Sequence, residues 1–310
     1  MSHVPIRVST LRGDQRIGFD VYIKINDGFL LYLKKGDSFE GHRLNRLRRK
    51  KLKKMFILAD EEKSYRDYVI LNVEMAYDEK SDRPLETRSQ IVQGYQQSQA
   101  ESLLEIPSDQ KLYEEAKKES LKFAEFLKSE PKALNFIMKM ENNDENIAHH
   151  GVSVSALACA LAHRLGTLDQ KQMQFLSFGA LLHDIEHAYT GFHVARNLSV
   201  MPPEELVMYK NHPVQGAHRV GQLKHFEKTV LNIIAEHEEF VDGRGFPQGL
   251  KESQLDPLSI IVGSANVVDR KISFEKIPAQ ELTKNLMMTC LGQRPLDHLK
   301  ILTDLISLKA

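Results

Sequence analysis

"LLHDIEHAY", residues 181–189, can be parsed as two different metal sites, and the choice decides the fold expected around it. As H-x-x-E-H it sets His183 and His187 one helical turn apart with Glu186 beside them, the inverted zinc-peptidase motif. As an adjacent His-Asp pair it makes His183 and Asp184 the heart of a site whose other ligands come from elsewhere in the chain. Neighbouring residues in mid-helix diverge by about 100°, so such a pair serves an ion near a helix end or divides between two ions. The preceding "FGALL", residues 178–182, would sink the pair into an apolar core, where a carboxylate needs a metal or a partner. An aspartate has two oxygens and can bridge two ions, whereas an imidazole gives one nitrogen to one ion.

Working outward, histidine is the informative residue type. Of 13 histidines, eight fall between His149 and His218, and His225 and His237 follow. His150, His183 with Asp184, His212 in "NHP" and His237 in "EHEEF" fall on separate expected helices, where a bundle can bring them together. A lone histidine is usually a surface or hydrogen-bonded residue, which is the reading for His163, His193, His218, His225 and His298, and for His149 beside His150. After Pro131 the chain reads as successive helices without strand alternation, interrupted by the glycine-rich "VDGRGFPQGL" and resuming near Pro257. The expected fold class is α+β: a small N-terminal α/β domain over residues 1–65, a helical connector over 66–130, and an all-α metal-binding bundle over 131–310.

In the first segment "FDVYIKI" and "FLLYLKKG" flank "NDG", the composition of a hairpin. "GHRLNRLRRKKLKKMFIL" then gives a basic helix followed by a short apolar strand. The run "RLRRKKLKK" reads as the solvated face of an amphipathic helix, because no aromatic residue interrupts it to stack a base. "DQKLYEEAKKESLKFAEFLKSEP" carries an apolar helical stripe that stops before Pro131, a connector that can also pair with a second copy or a protein partner.

The 310 residues suit two domains, and 42 basic against 42 acidic residues give a formal net charge of zero. Nothing in that balance draws the chain to a nucleic-acid polymer or an anionic membrane. The opening "MSHVPIRVSTLRGD" lacks a charged-then-apolar signal pattern, and no apolar run approaches the roughly 18 residues of a membrane helix, so a cytoplasmic location is expected. Cys159 and Cys290 form no C-x-x-C spacing, which sets redox chemistry aside.

"HHGVSVSALACALAHRLG", "LLHDIEH", "NHPVQGAHRV", "IIAEHEEFVDGRGFPQGL" and "SANVVD" resemble, in this order, the motifs of the HD-GYP family, HD-domain phosphodiesterases that hydrolyse cyclic di-GMP. The match spans about residues 146–269, and the inverted-peptidase parse explains five residues of it. There are departures. In the family's H-D-x-G-K, Glu186 replaces the glycine and His187 the lysine that would touch a substrate phosphate. The family's H-H-E becomes His237-Glu238-Glu239, and its G-Y-P becomes Gly245-Phe246-Pro247, an unconventional member lacking the tyrosine. The late metal-binding aspartate falls on Asn266, with Asp269 one turn later, and Asn146 stands where some members place a glutamate for a third ion. The pattern D-R-P-Y-R is absent, although Arg270 and Lys271 lie nearby.

The resemblance implies two divalent ions, iron before manganese or zinc, held by His150, His183, Asp184, His212 and His237, with Asp184 bridging. Glu238 or Asn266 completes a shell, and Asp269 is the reserve ligand if the helix register differs by a turn. Asp184 and His187 become the catalytic residues, and His187, Arg244, Phe246, Arg270 and Lys271 the substrate contacts. The implied activity is hydrolysis of cyclic di-GMP to linear pGpG or GMP. Loss of the lysine and tyrosine favours an alternative, a weakened domain acting as a cyclic di-GMP receptor or a protein-interaction scaffold.

Overall fold

The computed structural model describes residues 2–13, 15–40, 43–140, 142, 145–191 and 198–307. The chain divides into two compact units, Met1–Ser98 and Gln99–Ala310. In the first, β1 (His3–Arg7), β2 (Val21–Ile25), β3 (Gly28–Leu33) and β4 (Lys54–Leu58) form one antiparallel sheet of order β1-β4-β2-β3. The β2–β3 hairpin turns at Asn26, whose φ of 54° is the left-handed region that Asn tolerates and "NDG" foretells. β1 carries no alternating signal and is absent from the sequence expectation. It contains Pro5, which an edge strand accepts because one side of its ladder needs no donor.

Helix α1 (Arg43–Arg49) buries Leu44 and Leu47 in the core with Phe19, Phe39, Met55 and Ile57. Arg43, Arg46 and Arg49 face solvent, as the amphipathic reading expects. α2 (Glu62–Tyr77) follows, and α3 (Leu85–Glu105) contains the division between the units.

The second unit is helical among its described residues. Its elements are α4 (Gln110–Ser129), α5 (Ala133–Met138), α6 (Ile147–Leu165), α7 (Gln170–Leu182), α8 (His187–Thr190), α9 (Pro203–Gly221), α10 (Lys228–Glu236), α11 (Pro257–Ser273), α12 (Ala279–Thr289) and α13 (Leu296–Ser307). Local chemistry sets the helix starts: Asp109 accepts from Lys111 N and Leu112 N, Asp169 forms a capping box with Gln172, and Asp256 caps α11 ahead of Pro257. α6 packs on α7 and α11, and α10 packs on α7, α9 and α11. A Cβ at Gly151 would collide with the Leu181 carbonyl, so the backbones of α6 and α7 meet at the level of His150 and His183. No described helix is long and apolar enough to cross a membrane.

One expectation needs correction. His183 and Asp184 do not stand in mid-helix: α7 ends at Leu182, and residues 183–186 form a turn before α8. Ile185 N→Leu182 O, His187 N→Asp184 O and Ala188 N→Ile185 O bonds of 2.9, 3.0 and 3.1 Å tighten this turn to three residues.

Candidate metal centre

Four histidines are aimed by an acceptor behind the ring. His183 Nδ1 is 2.8 Å from Ala180 O, and His237 Nδ1 is 2.9 Å from Ile234 O. Both carbonyls lie in the last turn of a helix, where no intrahelical donor reaches them. His212 Nδ1 lies 2.6 Å from Tyr209 O inside α9, and that carbonyl is freed because Pro213, four residues on, has no N–H. His150 Nδ1 lies 2.6 Å from Asp269 Oδ2. Carbonyls and carboxylates only accept, so each Nδ1 carries a proton and Nε2 is the nitrogen turned into the site.

Those Nε2 atoms converge on Asp184, and they divide between its two oxygens. His150 and His183 each lie 3.5 Å from Oδ2. His212, His237 and His187 lie 3.1, 3.3 and 3.8 Å from Oδ1. All six residues are buried. Three groups have ligand atoms within 4.8 Å of one another: His150, His183 and Asp184; Asp184, His187 and His212; His212, His237 and Glu238. Asn266 joins the two sides, its Oδ1 3.1 Å from His150 Nε2 and its Nδ2 donating to Glu238 Oε1 at 3.3 Å.

The electrostatics suit cations. Burial pushes the His183 imidazole well below its ordinary value, with Asp184 pulling the other way, and burial takes His187 down to about 3 against the same pull. Burial would raise the Asp184 carboxyl, but His183, His187, His212 and His237 together hold it well below the usual carboxylate range. The result is an ionised Asp184 carboxylate beside neutral His183 and His187 rings. His183 Nε2 is fully buried with no hydrogen-bond partner, which costs free energy unless an ion takes the lone pair. This donor set fits divalent metal ions.

The other expected site residues lie at varied places. Asp269 lies behind His150, on the Nδ1 side, and its second oxygen accepts from Ser273 Oγ. Burial would lower the Arg270 guanidinium, but Tyr209, Glu238 and Asp184 raise it, so it stays charged beside the centre. The Lys271 ammonium is 2.8 Å from Glu275 Oε2. Arg244, on the exposed loop, binds Asp242 with Nε and Nη2. The Phe246 ring is 6.2 Å from Tyr209, whose ring is 5.0 Å from His212.

Glu186 is turned away, both oxygens held at 2.8 Å by Arg219 of α9, which removes the general base the inverted-peptidase parse requires. Asn146 caps α6 and donates to Glu101. His149, His163 and His225 bond the carbonyls of Met140, Ala124 and Pro107, while His218 and His298 meet Gln222 and Ser264. His193 lies outside the described residues. Burial pushes the Cys159 thiol up to about 12, which makes it inert.

Several supporting residues were not read from the sequence. Glu239 accepts from Gln248 N and Leu250 N, fastening the "GRGFPQGL" loop beside His237. Arg294 donates to the carbonyls of Glu239 and His237. Tyr209 and Lys210, next to the readable His212, place a ring beside His187 and an ammonium 5.9 Å from the Phe246 ring.

A helical bundle with a buried His-Asp pair and partners from four further helices is the arrangement of an HD domain, and residues 134–280 match the HD domain family. Bd1817, an HDG"Y"P protein from Bdellovibrio bacteriovorus, superposes with a TM-score of 0.92 at 48% identity, over 98% of this chain and 99% of that one. The chain belongs to the HD-GYP family. Cyclic di-GMP phosphodiesterase PA4108 of Pseudomonas aeruginosa is 27% identical over 139 residues, 45% of this chain and 33% of the relative. A cyclic di-GMP phosphodiesterase of Thermotoga maritima is 29% identical over 140 residues, 44% of this chain and 37% of the relative. The chain spans about a third of the length of these curated relatives.

Proposed function

We propose that this chain is a binuclear, metal-dependent phosphodiesterase that hydrolyses cyclic di-GMP to linear pGpG or GMP. The observation that carries the reading is the division of Asp184: Oδ2 faces His150 and His183, while Oδ1 faces His212 and His237. A carboxylate placed between two imidazole sets is the arrangement of a bridging ligand. Two bound divalent ions would supply Lewis-acid polarisation of a phosphoryl oxygen and acidify the attacking water. Water adds to phosphorus as the P–O3′ bond breaks, and the 3′ oxygen leaves with a proton. Arg270 offers the charge to hold a phosphate, and Phe246 an apolar wall for a base. The mixed nitrogen and oxygen donors suit iron, with manganese and zinc as the other candidates.

The test is elemental analysis of the purified protein with product chromatography on cyclic di-GMP. Two ions per chain and a linear product are expected. Asp184→Ala should lose both ions, and His212→Ala should weaken mainly one. Three tightly held ions, or equal and small losses from both variants, would overturn the two-ion bridge. Phe246 in place of a tyrosine and a buried, neutral His187 in place of a lysine favour a second reading, a receptor that binds the nucleotide with little turnover. Full metal loading with nucleotide binding and no product would select it.

A further inference from the structure

We propose that His187 is itself a ligand of the ion on the Oδ1 side of Asp184. The inference rests on the two-ion reading above and deepens it, placing a metal ligand where the family resemblance expects a phosphate contact. The backbone makes the placement. The three-residue turn with its His187 N→Asp184 O bond of 3.0 Å sets positions 184 and 187 on one side, because residues three apart eclipse in such a turn. His187 Nε2 accordingly lies 3.8 Å from Asp184 Oδ1. The ligand atoms of Asp184, His187 and His212 all fall within 4.8 Å of one another, a spacing one ion can span.

The ring is also packed as a ligand would be. It is tilted 32° against His212 at 4.3 Å between centroids and stacked on Tyr209 at 5.4 Å, with 5% of the residue exposed. A substrate phosphate would have to displace this packing to reach it, whereas a small cation would not. The Oδ1 side then holds three imidazoles, His187, His212 and His237, against His150 and His183 on the Oδ2 side. More imidazole nitrogen at that position favours a later first-row ion such as Co²⁺ or Zn²⁺ over Mn²⁺.

The test uses the full chain, stripped with a chelator and titrated with Co²⁺ alone, following calorimetry and the visible ligand-field bands. Wild type, His187→Ala, His187→Gln and His183→Ala are compared, with circular dichroism of each stripped protein to verify the fold. Wild type should take up two Co²⁺. Both His187 variants should keep one at wild-type affinity and bind the second about tenfold more weakly or worse, with altered bands. Free imidazole should restore the second uptake in His187→Ala, a rescue that a purely structural role would not show. If both His187 variants bind two Co²⁺ with wild-type affinities and bands while His183→Ala loses one, the two-ion centre stands and the role of His187 is overturned. A wild type that takes up a single Co²⁺ overturns both.

Discussion

His150, His183, His212 and His237 are each positioned by what Nδ1 touches, and of these four His150 alone leans on a carboxylate, that of Asp269. A carboxylate behind an imidazole raises its basicity and fixes its rotation more firmly than a carbonyl does. Asp269 lies where a slipped register would make it a ligand, so its two roles can be told apart by substitution. As an orienting group, Asp269→Asn keeps an acceptor of the same shape and should weaken the Oδ2-side ion modestly, while Asp269→Ala should weaken it by about 10- to 100-fold. Competition titration against a metal indicator reads both values. Equal, complete loss of an ion in both variants would instead make Asp269 a ligand. Glu186 shows the opposite case: the same motif offers it as a catalytic base, but its pairing with Arg219 commits it elsewhere.

At the scale of the element, helix breaks rather than helix centres make this site. Two of the rings facing Asp184 cap the last turns of α7 and α10, and the third cap is internal, where Pro213 interrupts α9. Proline in a helix interior costs about 3 kcal/mol relative to alanine, so its position asks for a compensating use. Pro213→Ala returns an N–H that competes with His212 Nδ1 for Tyr209 O. The variant should melt no lower than wild type when stripped of metal, yet bind the Oδ1-side ion about tenfold more weakly. A lower melting temperature with unchanged metal affinity would show that the proline serves packing instead. The "NHP" signal was legible because the histidine and the proline are adjacent in sequence. The end of α7 was not. "FGALLHDIEH" keeps helical composition with no Gly or Pro after Leu182; at the helix end the His183 ring meets the Ala180 carbonyl locally, and Asp184 turns toward the distant rings of His150, His212 and His237.

Over the whole molecule, the mixed N-terminal unit and the helical remainder were legible because strand-like and helix-like runs are segregated along the chain. β1 was not, since five residues containing a proline carry too little pattern, and Glu239 and Arg294 were not, since their partners are distant main-chain atoms. The same limit hides a link between α4 and α10. Glu227, at the N-cap of α10, accepts from the hydroxyl of the buried Tyr113 and pairs with Lys117 Nζ at 2.7 Å. Burial would raise the Glu227 carboxyl, but the bonds from Lys117 and Tyr113 outweigh it and hold it below its ordinary value. A carboxyl depressed on folding adds stability that is complete above its unfolded pKa, near 4.5, and lost as pH falls through the lower folded value. The Glu227 side chain is 33% exposed, which screens the pair and limits the expected effect to about 0.5–1 kcal/mol. Glu227→Gln should therefore unfold at lower urea than wild type at pH 7. The gap should close as the pH is taken below about 4.5, because a protonated Glu227 and the amide of the variant then offer Lys117 the same uncharged acceptor. Urea titrations of the metal-stripped proteins across that range measure it, and a gap independent of pH would show that shape, not charge, joins α4 to α10.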